Sequence, residues 1–152
     1  MKRLNEEQLT KLVNELSRKY FHKPFRHEVY FNHRLRTTGG RYIPAKKVIE
    51  LNPKYYFELG LHELIGIIKH ELCHYHLHIE GKGFRHGDDD FKRLLKETGS
   101  PRHCKPLPSQ QYKYNYIYVC QRCKQIYKRI RKVNVKRFRC GNCRGQLRLK
   151  KR

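Results

Sequence analysis

Two cysteine knuckles near the end of the chain limit its folding options more than any other feature. Cys120-x-x-Cys123 and Cys140-x-x-Cys143 are separated by sixteen residues. Two close thiol pairs commonly supply the four sulfurs of one tetrahedral zinc ion, and such a site is closed, with no open position for chemistry. Between them the chain reads KQIYKRIRKVNVKRFR. Ile126, Ile130, Val133, Val135 and Phe138 are expected to cover a small core while the basic side chains stay in water. With so little apolar area, bound metal must supply much of the folding free energy. A redox role for the CxxC pairs needs a thioredoxin-like βαβ context, and none surrounds them.

The same stretch dominates the charge. The 152 residues include 36 Lys and Arg against 13 Asp and Glu, a formal net charge of +23. Residues 101–152 hold 17 basic residues and no acid, a net of +17, whereas residues 1–100 carry a net of only +6. Such an imbalance calls for a polyanionic partner, and nucleic acid fits first. No base-reading element is visible, so little sequence preference is expected. No membrane partner is expected: no apolar run nears the about 18 residues of a spanning helix, and no basic amphipathic helix occurs in the basic part. The N-terminus, MKRLNEEQL, places acid where a signal peptide needs an apolar stretch. A cytoplasmic location is therefore expected, with the cysteines as thiols or metal ligands.

The segment SPRHCKPLPSQQ holds three prolines and reads as a linker or surface loop. It divides the chain into modules 1–108 and 109–152. The second opens with YKYNYIYVC, whose Tyr112, Tyr114, Tyr116 and Tyr118 alternate and so share one face of a strand. That face either packs inward or offers a stacking surface for unpaired bases beside basic side chains.

The first module reads as α+β. Residues 5–21 form an amphipathic helix, with Asn5 and Gln8 spaced for a capping box and Pro24 beyond its end. Three strands follow: one over His27–Leu35, one at Tyr42–Ile43 and one at Val48–Leu51, closed by Pro53. Residues 27–33 or 47–51 are expected to offer an edge to an extended peptide. From about Glu58 a long helix begins, with Leu61, Leu64, Ile65, Ile68, Leu72 and Tyr75 as its buried stripe and Gly81 and Gly83 as its stop. Gly66 within it permits close packing.

Inside that helix lies His70-Glu71-Leu72-Cys73-His74, an HExxH motif. Positions i and i+4 lie on one helix face, so two imidazoles can reach one zinc ion, and Glu71 is placed to act as general base on a water there. A catalytic zinc usually takes a third protein ligand. His78 lies too far along an unbroken helix, and His76 points elsewhere; both read as solvent-facing or supporting groups. His86 follows the Gly81–Gly83 break, and Glu97 sits in the last turn of a short helix begun by Asp88 and Asp89 and packed through Phe91, Leu94 and Leu95. Both remain candidates on the residues alone, with His86 the simpler geometry. Cys73 reads as a small buried hydrophobe and Cys104 as a linker thiol without a role. The metzincin pattern HExxHxxGxxH fails, because the chain reads HYHLHIEG from His74.

HELCHYHLH followed by GKGFRHGDDDFKRLLKETG resembles the SprT-like metalloprotease family, which includes the DNA–protein crosslink protease Spartan. The small size and terminal four-cysteine zinc ribbon are similar to its bacterial branch. The resemblance covers nearly the whole chain. It implies a minimal zincin-like fold, His70 and His74 as zinc ligands, Glu71 as the catalytic residue, and His86, just before Gly87, as third ligand. The His74–His86 spacing is shorter than in the Spartan-like branch. The resemblance alone favours DNA over RNA as partner. The expected protein is thus a zinc metalloendopeptidase with one catalytic and one structural zinc ion, acting on proteins held near nucleic acid. The alternative is a zinc-containing nucleic-acid-binding protein that cuts nothing. No oxyanion donor is identifiable; Tyr75 and His76 are merely near in sequence.

Overall fold

Asn5 starts the first helix in a reciprocal cap. Its side chain accepts from the Gln8 amide at 2.7 Å, and the Gln8 side chain accepts from the Asn5 amide at 3.0 Å. Helix α1 runs Glu6–Phe21, burying Leu9, Val13, Leu16 and Phe21, and stops where His22 turns left-handed at φ 59°. In this computed structural model residues 3–110 and 114–151 are described. The chain falls into two compact units, Met1–Gln110 and Gln111–Arg152.

Strands β1 (Val29–Phe31), β2 (Gly40–Ile43) and β3 (Val48–Leu51) form a sheet in the order β1-β3-β2. β1 runs parallel to β3, and β2 runs antiparallel to it. The strand expected over 27–35 keeps only three residues, because the Asn32 side chain accepts from the Arg34 amide and turns the chain. β3 lies in the centre with all four residues buried, so residues 47–51 offer no edge. The outer positions belong to β1 and β2. Glu50 on β3 ties them together: it accepts hydrogen bonds from Tyr30 and Asn32, beside β3 on one side, and from Arg41 of β2 on the other.

Pro53 ends the strand but also opens a helix that the strand reading overlooks. Asn52 caps α2 (Pro53–Leu59) by accepting from the Lys54 amide, and proline costs nothing at a first helical position. Gly60, at φ 91°, separates α2 from α3 (Leu61–Ile79), so the long helix starts later than expected. Leu64, Ile68, Leu72 and Tyr75 are buried, Ile65 is partly buried, and Leu61 is exposed before the stripe begins. A Cβ on Gly66 would lie 3.1 Å from the Pro101 ring, which is the close packing that this glycine permits. α3 packs on β2 and β3 and against α1, α2 and α4 (Asp89–Thr98), whose Phe91 and Leu95 join the core. Among the described residues, no helix is long and apolar enough to cross a membrane.

The second unit is a three-stranded antiparallel sheet in the order β5-β4-β6, from β4 (Tyr116–Cys120), β5 (Ile126–Arg129) and β6 (Leu147–Lys151). Its core is Tyr118, Cys120, Cys140 and Leu147, with Tyr127 and Val135 against it. Ile126, Ile130 and Phe138, expected to cover that core, are about half exposed; Tyr127 takes the inward position on β5 and its neighbour Ile126 faces out. Tyr118 is buried, and its hydroxyl accepts from the Val133 amide at 2.8 Å. Tyr116 stacks beside it with ring centroids 6.5 Å apart, Tyr114 is exposed, and Tyr112 lies outside the described residues. The tyrosine face is therefore committed inward at Tyr118.

Candidate metal centres

Helix α3 sets His70 and His74 one turn apart, and two loops fix how their rings face. His70 Nδ1 donates to the Pro101 carbonyl at 2.8 Å, and His74 Nδ1 donates to the Phe84 carbonyl. A carbonyl can only accept, so each ring carries its proton on Nδ1 and leaves Nε2 as a lone pair. The loop between α3 and α4 brings in His86, whose Nε2 lies 3.1 Å from both His70 Nε2 and His74 Nε2. All three donor atoms fall within 4.8 Å of one another. Phe91, on α4, closes the cluster, stacked on His74 at 4.2 Å and edge-on to the other two rings.

That loop is braced by the acidic run that follows it. Asp90 accepts from the Gly83 amide and Asp88 from the Arg85 amide, each at 3.0 Å. A Cβ on Gly83 would come within 2.8 Å of Asp88 Cβ, so the approach requires glycine. Sequence reading assigns Asp88 and Asp89 only to the helix start. Asp88 does occupy the cap position, but its side chain serves the loop and makes no cap hydrogen bond.

Electrostatics suit metal ligation. Burial pushes the His74 imidazole down to about 4 and lowers His70 as well, so both stay neutral and electron-donating near pH 7. Glu71 is buried beside them. Burial pushes its carboxyl up to about 8, against a hydrogen bond from the Tyr42 backbone amide. A cleft of about 720 Å³ opens over His70, Glu71, His74 and His86, bordered by β2 and by the loop after α4.

The other candidates lie elsewhere. Glu97 is exposed and borders a separate cavity on the α1 side of α4, so it does not compete with His86. His76 is not solvent-facing: it is buried against α1, 2.7 Å from Ser17 Oγ. The Ser17 hydroxyl donates to the Lys23 carbonyl, so His76 Nε2 donates to Ser17, and burial pushes His76 down to about 4. His78 sits 2.6 Å from the Tyr42 hydroxyl and packs edge-on to Phe84, supporting both cleft walls. Tyr75 is turned to His27 and the Arg26 amide. Cys73 is fully buried, and burial raises its thiol to about 11. Cys104 is more than a linker thiol, because it lines the cleft and packs against the core. The loop of Pro101, Arg102 and His103 also borders the cleft and is missed by sequence reading. Its only signal is Gly66, whose partner is Pro101.

In the second unit Cys120, Cys123, Cys140 and Cys143 place their sulfurs within 4.8 Å of one another. Cys120 and Cys143 are 3.4 Å apart, and Cys123 and Cys140 are 3.6 Å apart. Gly145 lies under them; a Cβ there would stand 2.8 Å from Cys120 Sγ. The Arg122 and Cys123 amides both point at Cys120 Sγ at 3.4 Å. Tyr127 Oη lies 3.2 Å from Cys140 Sγ, and this contact holds the Cys140 thiol down to about 6. The Gly145 amide lowers the Cys143 thiol, but its neighbouring thiols and burial push it up to about 11. The four converging sulfurs are suited to thiolate ligation by their geometry, with donors lowering Cys120 and Cys140.

Comparison with known proteins agrees with this division. A model of the SprT-like family matches residues 9–113, and a model of the SprT-like zinc ribbon domain matches residues 114–151. Protein SprT-like of Oceanobacillus iheyensis is 65% identical over 147 residues, which cover 97% of this chain and 98% of that one. Protein SprT-like of Bacillus subtilis is 52% identical, over 95% of this chain and 97% of its own. Among solved structures, the metallopeptidase zymogen of Pyrococcus abyssi abylysin aligns with 57% of this chain and 75% of that one, at 20% identity and a TM-score of 0.42, too loosely to support an argument.

Proposed function

The chain belongs to the SprT-like family, and from that premise we propose that it is a zinc-dependent metallopeptidase with a minimal zincin-like catalytic domain. One observation carries the proposal: three imidazole Nε2 atoms converge beside a buried HExxH glutamate under an open cleft. The residues present fit a zinc ion. His86 Nε2 stands 3.1 Å from each of the other two, near what ligands about 2.0–2.1 Å from one ion adopt, and the Nδ1 bonds to Pro101 and Phe84 fix the tautomer that ligation needs.

His70, His74 and His86 would hold the ion. When bound, zinc supplies a Lewis acid that polarises a carbonyl, acidifies a water and, through its charge, favours ionised Glu71. Glu71 takes a proton from water on its carboxylate and delivers it to the leaving amine. The Tyr42 amide holds that carboxylate from the strand side. β1, within the expected 27–33 edge, and β2 are both outer strands, but β2 is the one that borders the cleft, so an extended substrate can pair along β2; the 47–51 segment is central. Cys120, Cys123, Cys140 and Cys143 would hold a second, structural zinc ion in the ribbon.

The basic last third of the chain gives the substrate its setting. A net charge of +17 on residues 101–152 supports binding to nucleic acid, taken to be DNA with little sequence preference. The substrates are then proteins held on it, and the enzyme works in the cytoplasm, where thiols remain reduced. The same charge supports a second reading, a zinc-containing nucleic-acid-binding protein without catalysis. E71Q separates the two. It is expected to retain two zinc ions per chain and nucleic-acid binding while losing about 10²–10⁴ in peptide cleavage. Cleavage by fully metallated E71Q at the wild-type rate would overturn the peptidase assignment. A fully metallated wild type that binds DNA yet cuts no protein on it would favour the second reading.

A further inference from the structure

The cleft over the three imidazoles is one-sided in charge. Three arginines line it, Arg41, Arg85 and Arg102, against a single acid, the buried Glu71. Arg41 is already paired with Glu50. Arg85 and Arg102 are exposed, and their guanidinium groups make no ion pair or hydrogen bond among the described residues. They come from different loops, and each adjoins a residue that builds the centre. Arg85 precedes His86, and Arg102 follows Pro101, whose carbonyl orients His70. Two unpaired guanidinium forks in a partly enclosed cleft attract anions, and their planar donor geometry matches a carboxylate.

We propose that the cleft selects polypeptide segments carrying Asp or Glu close to the scissile bond, with Arg85 and Arg102 receiving those carboxylates. The inference rests on the peptidase reading and adds a substrate class to it. A peptide carboxylate is favoured over a nucleic-acid phosphate because the arginines border the same cleft as β2. Apart from the Tyr42 amide, which Glu71 takes, that strand's outer edge offers amide and carbonyl groups for an extended peptide, whereas a sugar-phosphate chain has no amide to pair with them. Basic segments are disfavoured, so a DNA-held protein would be cut in its acidic stretches rather than in those that grip DNA.

The test uses the full-length, zinc-loaded protein and three labelled peptides identical except for Glu, Gln or Lys on both sides of one cleavable bond. kcat/KM is measured for the wild type, and fluorescence anisotropy follows uncut peptide on zinc-loaded E71Q. The expected order is Glu over Gln over Lys, by about two- to five-fold per matched charge, and the spread shrinks as salt rises. In the R85Q/R102Q double variant the Glu-to-Gln ratio should fall toward one, while R85K/R102K retains part of it. Two zinc ions per chain verify that each variant is folded. Equal values for the three peptides, a preference for Lys, or a Glu advantage undiminished in R85Q/R102Q would overturn the proposal. So would a single-stranded oligonucleotide that loses affinity in R85Q/R102Q while the peptide ratio stays put, since the arginines would then serve phosphate. If the wild type cuts none of the peptides but E71Q still ranks them Glu, Gln, Lys in binding, the peptidase reading fails and the selectivity stands. Cleavage without preference is the reverse result.

Discussion

Glu50 is a buried acid that carries its charge beneath three donors. Burial by itself would raise its carboxyl, but hydrogen bonds from Arg41, Asn32 and Tyr30 outweigh it and hold the group at about 2. A carboxyl with a folded pKa below its unfolded value stabilises the fold above the unfolded value, and that contribution is lost as pH falls through the folded one. Replacing Glu50 with Gln should therefore cost about 1–3 kcal/mol at pH 7, as an ionised acceptor facing three donors is lost. The gap between wild type and E50Q should narrow between pH 4.5 and about 2, which urea unfolding at a series of pH values would measure. A constant gap over that range would mean that the fold does not hold the Glu50 carboxyl below its ordinary value. Single residues were legible in sequence only where a motif marked them. His70, Glu71 and His74 were placed by HExxH, and the αL turn at Gly81 released His86. Glu50, the Tyr42 amide and the His76–Ser17 bond depend on which strands and helices become neighbours, and nothing local encodes that.

The elements were legible to the degree that their signals are local. α1 follows its capping box and apolar period, and α4 its apolar stripe. The break at Gly60 was missed because a glycine inside an apolar helical pattern costs only about 1 kcal/mol and does not by itself announce a stop. Strand order was beyond reach for a different reason: β3 precedes α3 in sequence, yet pairing puts it in the centre and leaves β2 beside the cleft. The loop from Gly83 to Asp88 behaves as one element, because Asp88 and Asp90 hold its amides and His86 rides on it. Removing either carboxylate, as D88A or D90A, should loosen His86 without touching a ligand. Zinc affinity at the three-histidine site is expected to fall by about 10–100-fold, the usual cost of losing a supporting hydrogen bond. Competition with a graded series of chelators would show it, with the four-cysteine site as internal reference. Gly83→Ala should act in the same direction, since its Cβ meets Asp88. Unchanged affinity in all three variants would mean that the loop holds its shape without these contacts.

At the scale of the whole chain the sequence is plainest about charge and least informative about surfaces. The excess of base over acid places +17 of the net +23 in residues 101–152, about the last third of the chain. Tyrosine alternation marks a shared face but cannot say that Tyr118 will be spent on the core of the second unit. That core is small, so the fold of Gln111–Arg152 should depend on its metal. The first unit has an extensive apolar core and should not. Substituting Cys120 and Cys123 with Ser is therefore expected to remove one zinc ion per chain and to collapse the amide dispersion of residues 114–151, while signals from residues 3–110 keep their positions. Nucleic-acid binding should respond differently to unfolding and to deletion. Phosphate contacts scale with the number of cations, and the slope of log affinity against log salt is about −0.9 for each phosphate neutralised on duplex DNA. The unfolded serine variant keeps every Lys and Arg, so it should bind more weakly with much of its salt slope intact. Deleting residues 111–152 removes 15 of the 36 basic residues and should abolish most of both. A salt titration of the three proteins on one duplex decides the matter. If deletion leaves the slope unchanged, the charge of the second unit is not what holds nucleic acid, and the partner assigned to it here is wrong.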